Sequence, residues 1–206
     1  MACVQIGFAG TASVSNPTNG RRTSSDRGRG RSSSIWAQVG KSTTVAALAL
    51  HTCLYTPGGL VLVIAPSQRQ SRELFIKIHS FLQRLEPPET LEEETKLSLM
   101  MSNGSRAVVL PGDGRTIRGY SSPALILMDE AAFIADEVFD ATLPMLAAAP
   151  EGRIILMSTP YTSAGFFYYF WHNADGWERV EFKTADCPRV CKEMARRAAA
   201  GGPVAL

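Results

Sequence analysis

Two adjacent carboxylates, Asp129 and Glu130, close an uninterrupted apolar run, Leu125-Ile126-Leu127-Met128. Four large apolar residues in a row fit a strand buried on both faces of a parallel sheet. Acids at the C-terminal end of such a strand stand where open α/β sheets place their chemistry. The first can hold a divalent cation and the second can orient water for attack on a phosphoryl group. The plainer alternative is a strand that ends at an acidic helix cap. A second stretch bears on that choice: Gln38-Val39-Gly40-Lys41-Ser42-Thr43-Thr44 runs into the apolar segment Val45 to Leu50. Phosphate binding at a helix N-terminus needs exposed N–H groups, a glycine for close approach, a lysine charge and a hydroxyl for Mg²⁺. Gly40, Lys41 and Ser42 offer all of these, with Gln38 and Thr43 as flanking nucleotide contacts. A lone Gly-Lys-Ser arises readily by chance. Its place upstream of the Asp-Glu strand, with helix and strand patterns alternating between, is the context that gives it meaning.

The elements that must position these groups can be read in order. Ser42 to Tyr55 is apolar and alanine-rich, a helix ended by Thr56-Pro57-Gly58-Gly59. Leu60 to Ala65 reads as a buried strand. Ser67 caps a helix whose Leu74, Phe75, Ile78, Phe81, Leu82 and Leu85 recur at one-turn spacing, and Pro87-Pro88 ends it. Glu86 to Glu94 reads as a solvated acidic loop. Lys96 to Met101 and Arg106 to Leu110 flank the turn-forming Asn103-Gly104, as in a hairpin. A Gly-rich polar loop from Pro111 to Ser122 leads to the Asp-Glu strand. Beyond it, Asp136 to Ala148 reads as a helix with Val138, Phe139, Leu143 and Leu146 on one side, interrupted by Pro144. Ile154 to Met157 is another buried strand, Gly165 to Trp171 an aromatic packing segment, and Trp177 to Lys183 an edge strand.

Composition bounds the rest. A chain of 206 residues, 45% of them hydrophobic, holds one α/β domain. No apolar run approaches the ~20 residues of a membrane span, and the N-terminus lacks a basic-then-apolar leader, so a soluble intracellular protein is expected. Cys3, Cys53, Cys187 and Cys191 are too scattered for zinc or a disulfide framework. The net charge is +2, but residues 1–34 alone carry +4, leaving −2 for residues 35–206. The Arg/Ser/Gly-rich segment from Gly20 to Ser34 has little to bury, reads as disordered, and could touch nucleic-acid phosphates or simply be solvated.

The order Gly40-Lys41-Ser42, Ile64-Ala65-Pro66, Arg118-Gly119, Leu127-Met128-Asp129-Glu130-Ala131 and Met157-Ser158-Thr159-Pro160 resembles the ATPase domain of the large terminase subunit of tailed bacteriophages. The resemblance implies an α/β P-loop NTPase fold, a mostly parallel sheet with helices on both faces, over residues 38–188. It implies ATP and Mg²⁺ as cofactors, with Lys41 on the β/γ-phosphates, Ser42 and Asp129 on the metal, and Glu130 as the catalytic carboxylate. Ser158 and Thr159 would couple hydrolysis to movement, and Arg118 or Arg115 would reach a neighbouring subunit's nucleotide. The implied activity is a motor driving double-stranded DNA into a procapsid, as a homo-oligomeric ring with the portal protein and small terminase subunit, in the host cytoplasm and transiently at the portal. Two other readings use the same motifs: a helicase-like DNA translocase fragment, and a non-hydrolysing DNA- or partner-binding fragment with a defective phosphate loop.

The chain departs from that pattern at its front. Ile35 stands where the loop's first glycine belongs and Ala37 where the family has arginine, while Arg27 to Ser34 is a poor strand lead-in. Residues 1–37 are therefore expected to be disordered or a non-native lead-in, from a shifted frame or wrong start, leaving the sheet without a strand beside the one ending at Asp129. The alternating run Val4, Ile6, Phe8 is the substitute candidate. Residues 189–206 read as a tail, with no room for the family's nuclease domain.

Overall fold

Three buried runs, Leu60–Ala65, Leu125–Asp129 and Arg153–Ser158, form the middle of the sheet. The computed structural model describes residues 2–8, 41–85, 91–112 and 117–182. Its strands are β1 (Ala2–Phe8), β2 (Leu60–Ala65), β3 (Leu91–Glu94), β4 (Ser98–Met101), β5 (Arg106–Pro111), β6 (Leu125–Asp129), β7 (Arg153–Ser158) and β8 (Trp177–Phe182). They make one sheet in the order β3-β4-β5-β2-β6-β7-β1-β8. The four central strands β5, β2, β6 and β7 are mutually parallel. The helices are α1 (Lys41–Tyr55), α2 (Gln68–Leu85), α3 (Asp136–Ala147) and α4 (Phe166–Asn173).

Period-two alternation sorts the two cores. Val61, Val63, Leu125, Leu127 and Met157 face α1 and α2, meeting Ala46, Ala49, Leu50, Leu74 and Ile78. Leu62, Ile64, Ile126, Met128 and Leu156 face α3 and α4, meeting Val138, Phe139, Leu146, Phe166 and Phe167. This is the α/β arrangement with helices on both faces that the sequence implies, since strands covered twice must be apolar throughout. The small Ala46 and Ala49, both fully buried, let α1 lie close against the sheet. Its exit is equally tight: a Cβ on Gly59 would stand 2.8 Å from the Thr56 carbonyl oxygen, so only glycine fits.

The hairpin β4–β5 does more than pair. From its turn, Asn103 Nδ2 donates to the Cys53 carbonyl at 2.8 Å, and Ser105 Oγ donates to the same oxygen at 2.7 Å. These side chains satisfy a carbonyl in the last turn of α1 that has no partner within its own helix, and so fix the far end of the helix whose start carries Lys41.

Four expectations need revision. Leu91–Glu94, read as loop, is a strand; it sits at the sheet edge, antiparallel to β4, where Glu92 and Glu94 are exposed. Leu143 is not on the inner stripe of α3: Thr142 takes that place, its hydroxyl donating to the Phe139 carbonyl at 2.7 Å, while Leu143 is exposed. Leu85 likewise faces outward at the end of α2. Finally, β6 does not lack a neighbour, because β2 and β7 flank it in parallel. The open edge is the far side of β7, and Ala2–Phe8, part of the lead-in expected to be disordered, pairs there as β1, antiparallel to both β7 and β8. Unpaired backbone groups along a buried strand are costly, and the alternating Val4, Ile6, Phe8 segment meets that need. Gly20 to Ser34, Cys187, Cys191 and residues 189–206 lie outside the described residues. Among the described residues, no helix is long and apolar enough to cross a membrane.

Two measurements check this account. Amide hydrogen exchange at Val4 to Phe8 should be as slow as in β7, because both strand edges are paired; fast exchange would remove β1 from the sheet. Burial also pushes the Cys53 thiol up to about 12 from an ordinary value of 9.0, with the Ser105 hydrogen bond acting weakly the other way. The folded chain keeps that proton while the unfolded chain releases it, so this contribution is intact below pH 9 and is lost between pH 9 and about 12. At ~1.4 kcal/mol per pH unit, the wild type should lose about 1 kcal/mol more stability than Cys53→Ala between roughly pH 8 and 10 in urea unfolding. Parallel curves for the two proteins would refute the buried neutral thiol.

Candidate nucleotide-binding site

Lys41 and Ser42 open α1, and Asp129 and Glu130 close β6. The fold brings the two pairs together across 89 and 87 residues of sequence. Lys41 Nζ meets Glu130 Oε1 at 2.7 Å, and Ser42 Oγ donates to Asp129 Oδ2 at 3.0 Å. The helix N-terminus adds its own positive field at this edge of the sheet. Lysine charge, hydroxyl and two carboxylates therefore converge where parallel sheets bind ligands.

Asp129 is 6% exposed, and its Oδ1 has no hydrogen-bond partner among the described residues. Burial raises its carboxyl above the usual range; the Ser42 hydroxyl opposes this, Glu130 adds to it and Lys41 opposes it. A buried carboxylate oxygen without a partner beside a serine hydroxyl is a fitting donor set for a hard divalent cation. No group of three or more His, Cys, Asp or Glu able to hold a metal occurs among the described residues. One carboxylate beside one hydroxyl suits Mg²⁺, which is typically held by one or two carboxylates plus substrate phosphates and water.

Glu130 sits in the left-handed region, φ 52° and ψ 48°. For a residue with a Cβ this costs on the order of 1 kcal/mol, and such strain concentrates at functional sites. It turns the chain from β6 into a 3₁₀ turn, Ala131–Phe133, closed by the Phe133 N–H on the Glu130 carbonyl at 2.9 Å. The segment after β7 arrives on its other side. Ser158 Oγ, Thr159 N and Thr159 Oγ1 each lie 3.4 Å from Glu130 Oε2, placed to donate to it. Ser158 Oγ also accepts from the Ala132 N–H at 3.1 Å. The coupling candidates Ser158 and Thr159 thus surround the candidate catalytic carboxylate.

Other candidates are less engaged. Thr43 is exposed, and Gln38, Gly40 and Arg115 lie outside the described residues. Arg118 is exposed and makes no hydrogen bond or ion pair to any described residue; it lines a groove of about 470 Å³ with Tyr120, Ser121, Glu137 and Asp140. A larger hollow, about 840 Å³, lies between Thr52, Thr56, Ser122 and Arg153, at the opposite end of the strands from the carboxylates. The sequence reading missed Asp136, whose Oδ1 accepts the Phe166 N–H at 2.8 Å. That carboxylate caps α4 from a distance. Gly165 suits this junction because its φ of 88° disfavours a side chain, and a Cβ there would stand a tight 3.3 Å from Asp136 Oδ1. An acid in the first turn of a helix was the visible signal; its reach to another helix was not.

Comparison with known proteins places this geometry. No curated protein matches the chain. Among solved structures, the large terminase ATPase domain of Thermus phage P74-26 superposes with a TM-score of 0.58 at 22% identity, covering 68% of this chain and 62% of that one. The large terminase of a thermophilic bacteriophage gives a TM-score of 0.53 at 12% identity over 66% of this chain and 34% of that one. The HK97 bacteriophage large terminase gives 0.52 at 20% identity over 61% and 28%. This chain therefore spans 62% or less of each of these relatives. The family model for the N-terminal part of the T4likevirus-type terminase large subunit matches residues 37–189, and with most of its length inside that match the chain belongs to the terminase large subunit family.

Proposed function

We propose that this chain is the ATP-hydrolysing motor domain of a phage terminase large subunit, driving double-stranded DNA into procapsids. The observation that carries the reading is the convergence of Lys41, Ser42, Asp129 and Glu130 at one sheet edge. Lys41 would lie against the β- and γ-phosphates, and Ser42 and Asp129 would hold Mg²⁺. The bound ion would supply positive charge for the phosphate oxygens. Glu130 would accept a hydrogen bond from the attacking water and orient it. Ser158 and Thr159, which touch the same carboxylate, would sense its state and pass it to the segment after β7. The family membership supports a portal protein and a small terminase subunit as partners and a ring of identical subunits; a place in the host cytoplasm, transiently at the procapsid portal, is part of the same proposal. Arg118, exposed and without a partner among the described residues, is suited to reach a neighbouring subunit's nucleotide.

Glu130→Gln should lower ATP turnover by about 10²–10⁴ while binding persists, since only the water-orienting charge is removed. Lys41→Ala should weaken binding itself, because its charge serves ground and transition states alike. Turnover by Glu130→Gln at the wild-type rate would place the catalytic carboxylate elsewhere.

Arginines that act between subunits contribute about 10³–10⁵ in rate. Rings mixed from Arg118→Ala and Glu130→Gln chains should regain hydrolysis at interfaces that pair an intact Glu130 with an intact Arg118. Mixed rings as inactive as either parent would exclude Arg118 from that role.

A further inference from the structure

We propose that Lys41 and Glu130 form a latch, closed in the nucleotide-free protein, which an incoming phosphate opens by taking Lys41, handing Glu130 to Ser158 and Thr159. The proposal rests on the nucleotide-site reading and adds to it how the site is held before nucleotide arrives. The first observation is the asymmetry of contacts around one carboxylate. Glu130 Oε1 lies 2.7 Å from the Lys41 ammonium, whereas three donors approach Oε2 no closer than 3.4 Å. Charged hydrogen bonds are strongest near 2.7–2.9 Å, and about 3.4 Å is at the weak end of the range. Lys41 therefore sets where the carboxylate points. The second observation is burial: the side chains of Lys41 and Glu130 are 10% and 25% exposed, so water screens the pair only in part.

A phosphate that approaches Lys41 competes with Glu130 for its ammonium. Two anions on one ammonium, each at ordinary hydrogen-bond length, stand within about 5 Å of each other and repel. A triphosphate carries the larger charge and also has the helix N-terminus and Mg²⁺ on its side, so Glu130 is the group displaced. Its nearest alternative donors are the Thr159 N–H and the Thr159 hydroxyl, with the Ser158 hydroxyl joining them by leaving the Thr159 carbonyl, which it meets at 3.0 Å; all lie on the segment leaving β7. Nucleotide occupancy would thereby be written into the segment after β7 before any bond is broken. The latch also lowers apparent affinity, because only the open fraction of molecules binds.

The test uses the whole chain and the non-hydrolysable analogue adenylyl imidodiphosphate with Mg²⁺, read by calorimetry. Glu130→Asp keeps the negative charge but withdraws it by about 1.5 Å, one bond along the side chain, and so cannot hold Lys41. Glu130→Gln removes the charge. Both variants should bind about threefold to tenfold more tightly than the wild type. Tightening in Glu130→Gln alone would reflect relief of repulsion with the phosphates and would overturn the latch, as would no tightening in either. Absence of binding in all three proteins would overturn the nucleotide-site reading and the latch with it. A second measurement needs no change at Glu130. Amide exchange at Thr159 in the wild type should slow when the analogue is added, and in Lys41→Ala it should be slow without it. Unchanged exchange at Thr159 in the wild type would refute the transfer.

Discussion

A carboxylate at the end of a strand covered on both faces is the constraint on which this fold turns. Asp129 cannot be surrounded by water there, so its charge must be met by groups the protein brings to it. Those groups sit almost ninety residues earlier, at the first two positions of α1. Much else follows from delivering them. The α1 helix must begin at the C-terminal edge of β6 and lie close to the sheet, which Ala46 and Ala49 permit. Its far end must stay put, which Asn103 and Ser105 ensure through the Cys53 carbonyl. Even this leaves one Asp129 oxygen without a partner among the described residues, an exception among buried polar groups.

Two neighbouring acids have different surroundings. Asp129 is enclosed and shares the Ser42 hydroxyl, conditions for holding a cation. Glu130, one residue on, is turned by a left-handed backbone to face a lysine on one side and hydroxyls on the other. Had the chain continued as a strand, Glu130 would have pointed to the opposite face of the sheet from Asp129. The strained turn is what places both acids at one edge.

Much of this was legible in the residues. Long apolar runs named the central strands, and a Gly-Lys-Ser preceding a helix, with an Asp-Glu ending a strand, named the candidate site. Those signals are local, and the cores confirm the strand faces they imply. What stayed hidden depends on distant partners. Leu91–Glu94 is acidic enough to pass for a loop, and only its pairing with β4 makes it a strand. Leu143 and Thr142 differ by one helical position, and hydrophobicity favoured the wrong one, since a threonine hydroxyl can satisfy itself on its own helix. Ala2–Phe8 alternates as strands do, yet its placement follows from the open edge of β7. The roles of Asn103, Ser105 and Asp136 require knowing which carbonyl or N–H lies opposite them.

The fastening between the segments that leave β6 and β7 has a mechanical consequence. Ala132 is tied to Ser158, the rings of Phe133 and Tyr161 stand 4.3 Å apart, Asp136 caps Phe166, and Phe139 stacks on Phe166 at 4.5 Å. These ties occur at successive distances from the carboxylates and join the same two stretches of chain. Two segments fastened at four points have little slack between them. The exposed Tyr161, Tyr168 and Tyr169 stand on or just beyond this fastened stretch, so a substitution that cuts one tie should disturb an aromatic surface as well as the carboxylate edge.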